Sequence, residues 1–208
     1  GDFGTTPSHK LGSNISQAVA LGDVDGDGDI DALVANGSEN YVWKNDGSGA
    51  FTGNNQAFPD ANTHDVALAD GDGDGELDVF LANDEYDDSS VWTNKEGAFY
   101  DTSQLVVEGQ DSRTVPRGGL DGDGDPDAVV ANENAATVVL ENDGDANFLN
   151  DDDGNIPQQT LGSSDTQARD VALRDVDNDG DLDVLVAEFH GPVTVWENDG
   201  TGRLTHSD

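Results

Sequence analysis

Carboxylates recur at a fixed spacing along the chain, in a nonapeptide of the form Asp-x-Asp-x-Asp-Gly-x-x-Asp that returns four times. Alternate residues of a tight loop can direct several carboxylates toward one point, and Ca²⁺ takes about six to eight oxygen ligands at roughly 2.3–2.6 Å. The glycine at the sixth position permits the sharp turn that such a loop needs. The spacing therefore predicts a calcium site in each copy.

Three of the four copies are complete, whereas the third copy along the chain has lost its first carboxylate. In that copy Gly119 replaces the first aspartate, and Pro126 stands at the eighth position, where the other copies have Ile or Leu. We expect three to four Ca²⁺ per chain, with the third site the weakest. The carboxylates at the first, third, fifth and ninth positions are Asp23, Asp25, Asp27 and Asp31; Asp70, Asp72, Asp74 and Asp78; Asp121, Asp123 and Asp127; and Asp175, Asp177, Asp179 and Asp183.

The sequence does not match two other calcium-binding motifs. An EF-hand loop needs a bidentate Glu at its twelfth position, but the twelfth positions here are apolar: Val34, Leu81, Val130 and Val186. The Gly-Gly-x-Gly-x-Asp nonapeptide of calcium β-helices is absent as well. One acidic stretch alone would usually be a solvated loop, but four copies in register before the same apolar run argue against that.

The repeat has the length and the strand pattern of a propeller blade. The ninth-position aspartates are 47, 49 and 56 residues apart, and periods of about 40–50 residues with short strands are typical of β-propellers. An apolar run follows each loop, at residues 31–36, 78–83, 127–132 and 183–188. Continuous apolar runs of this length indicate strands covered on both faces. We expect an all-β fold.

Further strands complete each repeat. A Val-Ala-Leu strand precedes the loop at residues 19–21, 66–68 and 171–173, so the loop joins the two strands of a hairpin. A third strand ends at an Asn-containing turn, and a fourth is expected to begin at Phe51, Phe99, Phe148 or Leu204. The prediction is a single domain, 1–208, a β-propeller of four visible four-stranded blades with a calcium loop in the hairpin of each. The approximate blades are residues 15–58, 62–108, 111–160 and 167–208, with 1–14 completing the last one.

Four blades are the lower limit for a propeller. Three arrangements stay open on the sequence alone. The chain closes on itself, it associates with a second copy, or it forms part of a larger ring.

These residues resemble a known family. The acidic hairpin, the Val-Ala-Leu strand before it and the later Trp-x-Asn-Asp-Gly turn are similar to the FG-GAP/VCBS repeats of integrin-α-like calcium-binding β-propellers. The resemblance implies that the first, third, fifth and ninth residues bind calcium through their side chains. It also implies that the seventh residue binds through its backbone carbonyl, at Asp29, Glu76, Asp125 and Asp181.

The net charge excludes some partners. The chain has 45 acidic and 8 basic residues, a formal charge of −37, which argues against nucleic acid or an anionic membrane as partner. Four Ca²⁺ would bring the charge only to −29, so calcium alone does not account for it. Salt relieves repulsion between surface carboxylates. A saline or halophilic setting and a merely solubilising surface both explain this composition.

The sequence contains no recognisable catalytic motif. Cysteine is absent, and neither a Gly-x-Ser-x-Gly nor a His-Glu-x-x-His pattern occurs. Carboxylate pairs are too abundant to indicate glycoside chemistry. The four histidines, His9, His64, His190 and His206, are expected on the surface or in loops, and the three tryptophans are expected to pack between blades rather than on sugar rings.

Two functions from different classes follow. The first is a non-catalytic, calcium-binding module of a secreted or cell-surface protein that presents loops to a glycan or protein partner, as in adhesion. The alternative is a calcium-dependent polysaccharide-active lyase or hydrolase domain on the same propeller. The chain begins at Gly1, lacks methionine and has no apolar run long enough to insert into a membrane. We therefore expect a processed or trimmed product of a secreted precursor.

Overall fold

The fold is built from β-strands joined by tight turns. The computed structural model describes residues 9–58, 61–84, 86–107, 110–115, 117–148, 159–163 and 167–206. Within these residues it contains 17 strands and no helix. The predicted all-β class is confirmed.

The strands form four antiparallel sheets in chain order, and neighbouring strands are consecutive in sequence in all but the third sheet. The first sheet contains β1 (Ser16–Gly22), β2 (Asp31–Asn36), β3 (Tyr41–Asn45) and β4 (Phe51–Ala57). The second contains β5 (Thr63–Ala69), β6 (Asp78–Asn83), β7 (Ser89–Lys95) and β8 (Ala98–Val107). The third contains β9 (Ser112–Thr114), β10 (Arg117–Gly118), β11 (Asp127–Asn132), β12 (Thr137–Leu140) and β13 (Gln159–Leu161). The fourth contains β14 (Ala168–Arg174), β15 (Asp183–Glu188), β16 (Val193–Asn198) and β17 (Leu204–Thr205).

The apolar run after each acidic loop is a buried strand. Every residue of β2, β6 and β11 is buried, whereas β15 is buried at only three of its six residues. Strands β2, β6 and β11 are therefore covered on both faces, as the continuous apolar pattern predicted. The fourth sheet has one face that the described residues do not cover.

Three apolar clusters hold the sheets together. They join the first sheet to the second, the second to the third and the third to the fourth. Trp92 packs at the first of these boundaries, with its ring edge-on to Phe58 at 5.3 Å between centroids. No cluster among the described residues joins the fourth sheet to the first.

The third sheet departs from the predicted pattern. Its first strand is divided into β9 and β10, which both pair with β11. The prediction that Phe148 opens a fourth strand is wrong, since that strand is β13. Phe148 is instead buried against Phe80, with centroids 6.0 Å apart, and the Ala146 amide donates a hydrogen bond to the Gly71 carbonyl of the second sheet. Packing between sheets draws this segment away from the edge of its own sheet.

The predicted contribution of residues 1–14 to the last blade falls largely outside the described residues, because residues 1–8 are not described. Residues 9–14 form no strand. The long approach to the fourth repeat is likewise described only at residues 159–163.

Candidate metal centres

Each acidic loop connects the first two strands of its sheet. The register pairs the residue before the loop's first position with its ninth position: Gly22 with Asp31, Ala69 with Asp78, Gly118 with Asp127 and Arg174 with Asp183. The loop is therefore closed at both ends by strand pairing. This explains how one nine-residue pattern takes the same position in four sheets.

Three of the four loops bring carboxylates together. In each group, three residues offer oxygen atoms that all lie within 4.8 Å of one another. The first group uses the first, third and fifth positions, and the other two use the first, third and ninth. The groups are Asp23, Asp25 and Asp27; Asp70, Asp72 and Asp78; and Asp175, Asp177 and Asp183. Among the described residues the third loop forms no such group.

The first-position carboxylate also folds the loop around itself. Asp23 accepts hydrogen bonds from the Gly26 and Gly28 amides, at 2.8 and 2.9 Å. Asp175 does the same with Asn178 and Gly180, at 2.7 and 3.3 Å. Asn178 has φ 67°, a left-handed conformation that asparagine tolerates better than most residues. Because Gly119 has no side chain, the third loop lacks these bonds.

Two of the loops contain carboxylate oxygens without a partner. Asp25 Oδ1 and Asp70 Oδ1 are buried and have no hydrogen-bond donor among the described residues. A buried anionic oxygen is costly unless a donor or a cation compensates it. Burial also raises the pKa of Asp72, with a further contribution from Asp74. These loops therefore have the donor set and the unbalanced charge that a divalent cation would satisfy.

The first loop differs by a lysine. Lys44 Nζ lies 3.0 Å from Asp25 Oδ2. The residues in its place in the other sheets are Thr93, Glu141 and Glu197. A cation bound in the first loop would therefore share the carboxylate at the third loop position, that of Asp25, with the Lys44 ammonium group.

The ninth-position aspartate has a structural role that the sequence analysis missed. It is fully buried in all four loops, and its two oxygens accept amide protons from the loop and from the Asn at the end of the third strand. Asp78, for example, accepts from Gly71 and Asn94, both at 2.8 Å. The equivalent bonds are Val24 and Asn45 to Asp31, Leu120 and Asn142 to Asp127, and Val176 and Asn198 to Asp183. The residue connects three strands before any metal binds.

The seventh-position residues couple each loop to the next turn. A Cβ on Gly47, Gly144 or Gly200 would lie 2.5 to 2.6 Å from the carboxylate of Asp29, Asp125 or Asp181, so these turns fit only glycine there. Glu76 instead accepts a hydrogen bond from the Glu96 amide at 2.9 Å. The side chains at this position therefore lie against the turn, which leaves the backbone carbonyl as the group implied for the metal.

The carboxylates of the third loop lie close enough to repel one another. Burial raises the pKa of Asp127 to about 6, and Asp121 and Asp123 add to the shift. Burial also raises the pKa of Glu141, with contributions from Asp121, Asp127 and Asp123. Glu141 stands where the first sheet has Lys44, so this loop carries an extra carboxylate beside it that the nonapeptide pattern does not include.

We expect Gly119→Asp to create a fourth calcium site. The φ of Gly119 is not in the left-handed region, and an added Cβ would meet only the Asp125 carbonyl oxygen, at 3.3 Å. A carboxylate there would restore the first ligand and the hydrogen bonds that order the loop. Equilibrium dialysis with metal analysis should find one more bound Ca²⁺ than in the wild type. Gly119→Asn is the matched control, and an unchanged count in Gly119→Asp would contradict the assignment.

The calcium-free protein should lose stability as pH rises. The pKa of Asp127 is about 6 in the folded state, against about 3.9 in an unfolded chain, so the folded state binds this proton more tightly. That contribution to stability is complete below about pH 4 and is lost as pH rises through about 6. The melting temperature of protein stripped of calcium should fall over this interval. Excess calcium should reverse the slope, because the ion binds the deprotonated carboxylates. A melting temperature that rises between these pH values without calcium would contradict the account.

The opposite ends of the first strands carry a row of polar side chains. Gln17, His64, Arg113 and Arg169 occupy equivalent positions, and His64 Nε2 lies 3.3 Å from Asp111 Oδ1. Glu133 accepts hydrogen bonds from both arginines. His64 lies in β5 rather than in a loop, and its side chain is partly exposed. Polar contacts along this row, such as Arg113 with His64 at 3.2 Å, link the second, third and fourth sheets at the end away from the acidic loops.

The tryptophans differ in their surroundings. Trp92 and Trp196 are partly buried and pack against the clusters between sheets, as predicted. Trp43 lines a cavity of about 280 Å³ beside residues 11–14.

An array of four-stranded antiparallel sheets, each with an acidic hairpin loop, defines a repeat protein with potential metal centres. The profile of the FG-GAP-like repeat family matches residues 23–81, 119–186 and 175–208. The chain belongs to this family. No curated protein sequence matches it.

Several solved structures share the fold at low sequence identity. An Agrocybe aegerita lectin, solved for its recognition of non-reducing terminal N-acetylglucosamine, is 22% identical with a TM-score of 0.53, over 89% of this chain and 49% of the lectin. BBS1N, in complex with ARL6DN, is 12% identical with a TM-score of 0.59, over 97% of this chain and 58% of its own. The V. cholerae biofilm matrix protein Bap1 is 17% identical with a TM-score of 0.55, over 97% of this chain and 32% of its own. The chain thus spans between 32% and 58% of the length of these proteins.

The described residues include no helix that is long and apolar enough to cross a membrane.

Proposed function

We propose that the four sheets are blades of a calcium-stabilised β-propeller that serves as a non-catalytic recognition module. The observation that carries the proposal is the recurrence of a three-carboxylate group in the same hairpin of three sheets. Each ion would neutralise one group and fix the hairpin that holds it. Recognition would then fall to the connecting loops that these hairpins support.

The donor set favours calcium over other metals. Each group offers carboxylate oxygens alone, with no histidine or cysteine among its members, whereas zinc and copper sites in proteins usually include nitrogen or sulfur. Magnesium requires near-ideal octahedral geometry and keeps several waters. Flexible loops with three or four carboxylates and a backbone carbonyl suit the larger ion.

The partner that we propose is a glycan or a protein. Two of the structures with this fold are described, one as a lectin that recognises N-acetylglucosamine and the other as a biofilm matrix protein. Because identity to both is below 25%, they support the fold and a recognition role only as an analogy. Secretion or cell-surface display follows from the calcium proposal, since extracellular calcium modules bind with affinities of about 10⁻⁴–10⁻³ M. The charge of −37 agrees with a saline medium.

A glycan array, probed in calcium and again in chelator, tests this function. We expect calcium-dependent binding to a restricted set of sugars, lost when the loop variants Asp70→Asn and Asp175→Asn are combined. Asp145→Asn is the charge-matched control, because Asp145 is an exposed carboxylate outside the acidic loops. Sugar binding that is indifferent to both chelator and the loop variants would contradict the proposal. Turnover of a polysaccharide would contradict the non-catalytic role.

A further inference from the structure

The three boundaries between sheets are made by equivalent faces. We call the face of a sheet that meets the next sheet along the chain its back face, and the face that meets the preceding sheet its front face. The back face of the first sheet is fully buried under the second. The equivalent residues of the third sheet are buried under the fourth. These back faces consist of Val24, Leu33, Ala35 and Val42, and of Leu120, Val129, Ala131 and Val139.

A hydrogen bond crosses every boundary at the same place. The Asn at the end of the third strand of one sheet donates its side-chain amide to a backbone carbonyl in the preceding sheet. That carbonyl belongs to the second residue of the acidic loop. The bonds are Asn94 to Val24, Asn142 to Gly71 and Asn198 to Leu120, at 2.8, 2.8 and 2.7 Å. Each of these Asn side chains also donates to a carbonyl of its own loop.

The fourth sheet exposes the same back face. Val176, Leu185, Ala187 and Val195 stand at the positions of the four back-face residues of the first sheet and are the same residue types. Val176 is 42% and Val195 41% exposed, whereas Val24 and Val42 are buried. The Val176 carbonyl accepts no Asn side chain from the described residues. Among the described residues, no neighbouring sheet covers this face as the second sheet covers the first.

The first sheet exposes the complementary front face only at its first strand, because Ala32 and Val34 on the same face of β2 are buried and residues 11–14 lie beside Val34. Val19 and Leu21 are 59% and 64% exposed, although the residue equivalent to Val19 in the fourth sheet, Val171, is 6% exposed. Within the described chain the Asn45 side chain donates only to its own loop, at the Ile30 carbonyl. The cavity beside Trp43 opens on this same face.

We propose that these two faces bind each other between two copies of this chain, head to tail. The back face of one copy's fourth sheet covers the front face of its partner's first sheet, and Asn45 donates its remaining amide proton to the partner's Val176 carbonyl. Two such contacts close a ring of eight sheets, within the usual range of about four to eight propeller blades. The contact is heterologous, and such contacts form a closed ring when the rotation permits it.

Arg174 should weaken this contact. Arg174 stands at the position of Gly22 and Gly118, where a Cβ would lie 2.5 and 2.8 Å from the Leu of the next sheet. The Arg174 side chain must therefore turn away from the partner. We expect the contact to be weaker than the internal boundaries, and to need salt because each copy carries −37.

Sedimentation velocity in calcium, at low and about molar sodium chloride, tests the pairing. The wild type should reach the mass of two chains at high salt, and Arg174→Gly should do so at lower protein concentration. Val195→Asp on the back face and Leu21→Asp on the front face should each reduce pairing at least tenfold. Mixing these two variants should recover dimers, because one intact face of each kind remains. Tyr100→Asp, an exposed position on the outer strand of an internal sheet, is the control.

Two results would overturn the proposal. The first is a wild-type chain that stays monomeric at every salt and protein concentration, which would leave the faces to another protein or to further repeats. The second is a dimer that neither face variant weakens. Because the altered residues are exposed, a calcium-dependent melting transition in each variant will show that it folds. Loss of pairing is thereby separated from loss of the metal centres.

Discussion

Replacing Asp78 with alanine should destabilise even the calcium-free protein, by about 3–5 kcal/mol. The carboxylate is fully buried and accepts hydrogen bonds from the Gly71 and Asn94 amides at 2.8 Å. Each buried donor left without a partner costs about 1–3 kcal/mol. Arg117 adds to the loss. The nitrogens of its guanidinium group are buried and have no hydrogen-bond partner in the described residues, and the negative charge of Asp78 favours its positive charge.

Urea unfolding in chelator measures this effect. Asp74→Ala is the matched control, since Asp74 belongs to the same loop but is exposed, and it should change the free energy of unfolding little when calcium is absent. Asp78→Asn should lie between the two, because one acceptor oxygen remains. If Asp78→Ala unfolds at the same urea concentration as the wild type in chelator, the ninth carboxylate acts only as a metal ligand and the structural role is wrong.

Removing calcium should bring the folded chain close to its stability limit. A ligand that binds only the folded state at 100 times its dissociation constant contributes about 2.7 kcal/mol per site. Three sites of about 10⁻⁴ M affinity, at about 10 mM calcium, would therefore contribute about 8 kcal/mol. Since folded domains are stable by about 5–15 kcal/mol, we expect the melting temperature to fall by about 20 °C or more on chelation.

Differential scanning calorimetry, with and without calcium, measures this loss. Magnesium at the same concentration should restore only a small part of it, because its octahedral preference suits these loops less well. Asp175→Asn should remove about one third of the calcium-dependent shift, and Asp145→Asn should leave it unchanged. A melting temperature that is indifferent to calcium in the wild type would mean that the acidic loops are solvated turns.

Much of the fold could be predicted from the sequence, because the second strand of each sheet begins at the same position of the acidic loop. The buried run after each ninth-position aspartate begins at that residue in β2, β6, β11 and β15. Those strands follow from local patterns of apolar residues and turns. Within the described residues the third loop forms no three-carboxylate group, which agrees with the loss of its first carboxylate at Gly119.

Two of the features that the sequence did not predict depend on contacts between sheets. Phe148 leaves the expected strand because it packs on Phe80 of the preceding sheet. His64 lies 3.3 Å from Asp111, 47 residues further along the chain. The partners of Phe148 and His64 cannot be identified before the sheets are placed side by side. The hydrogen bonds of the ninth aspartate lie within its own sheet, and they were missed because a metal-binding pattern assigns its carboxylate to the ion alone.

The most direct test of the calcium proposal is a count of bound ions. Protein stripped of metal and dialysed against calcium should bind three Ca²⁺ per chain in the wild type, two in Asp175→Asn and four in Gly119→Asp. Metal analysis of the dialysed samples gives these numbers without any assumption about folding. Wild-type protein that binds no calcium, or the same count in all three proteins, would contradict the assignment of the acidic hairpins as metal centres.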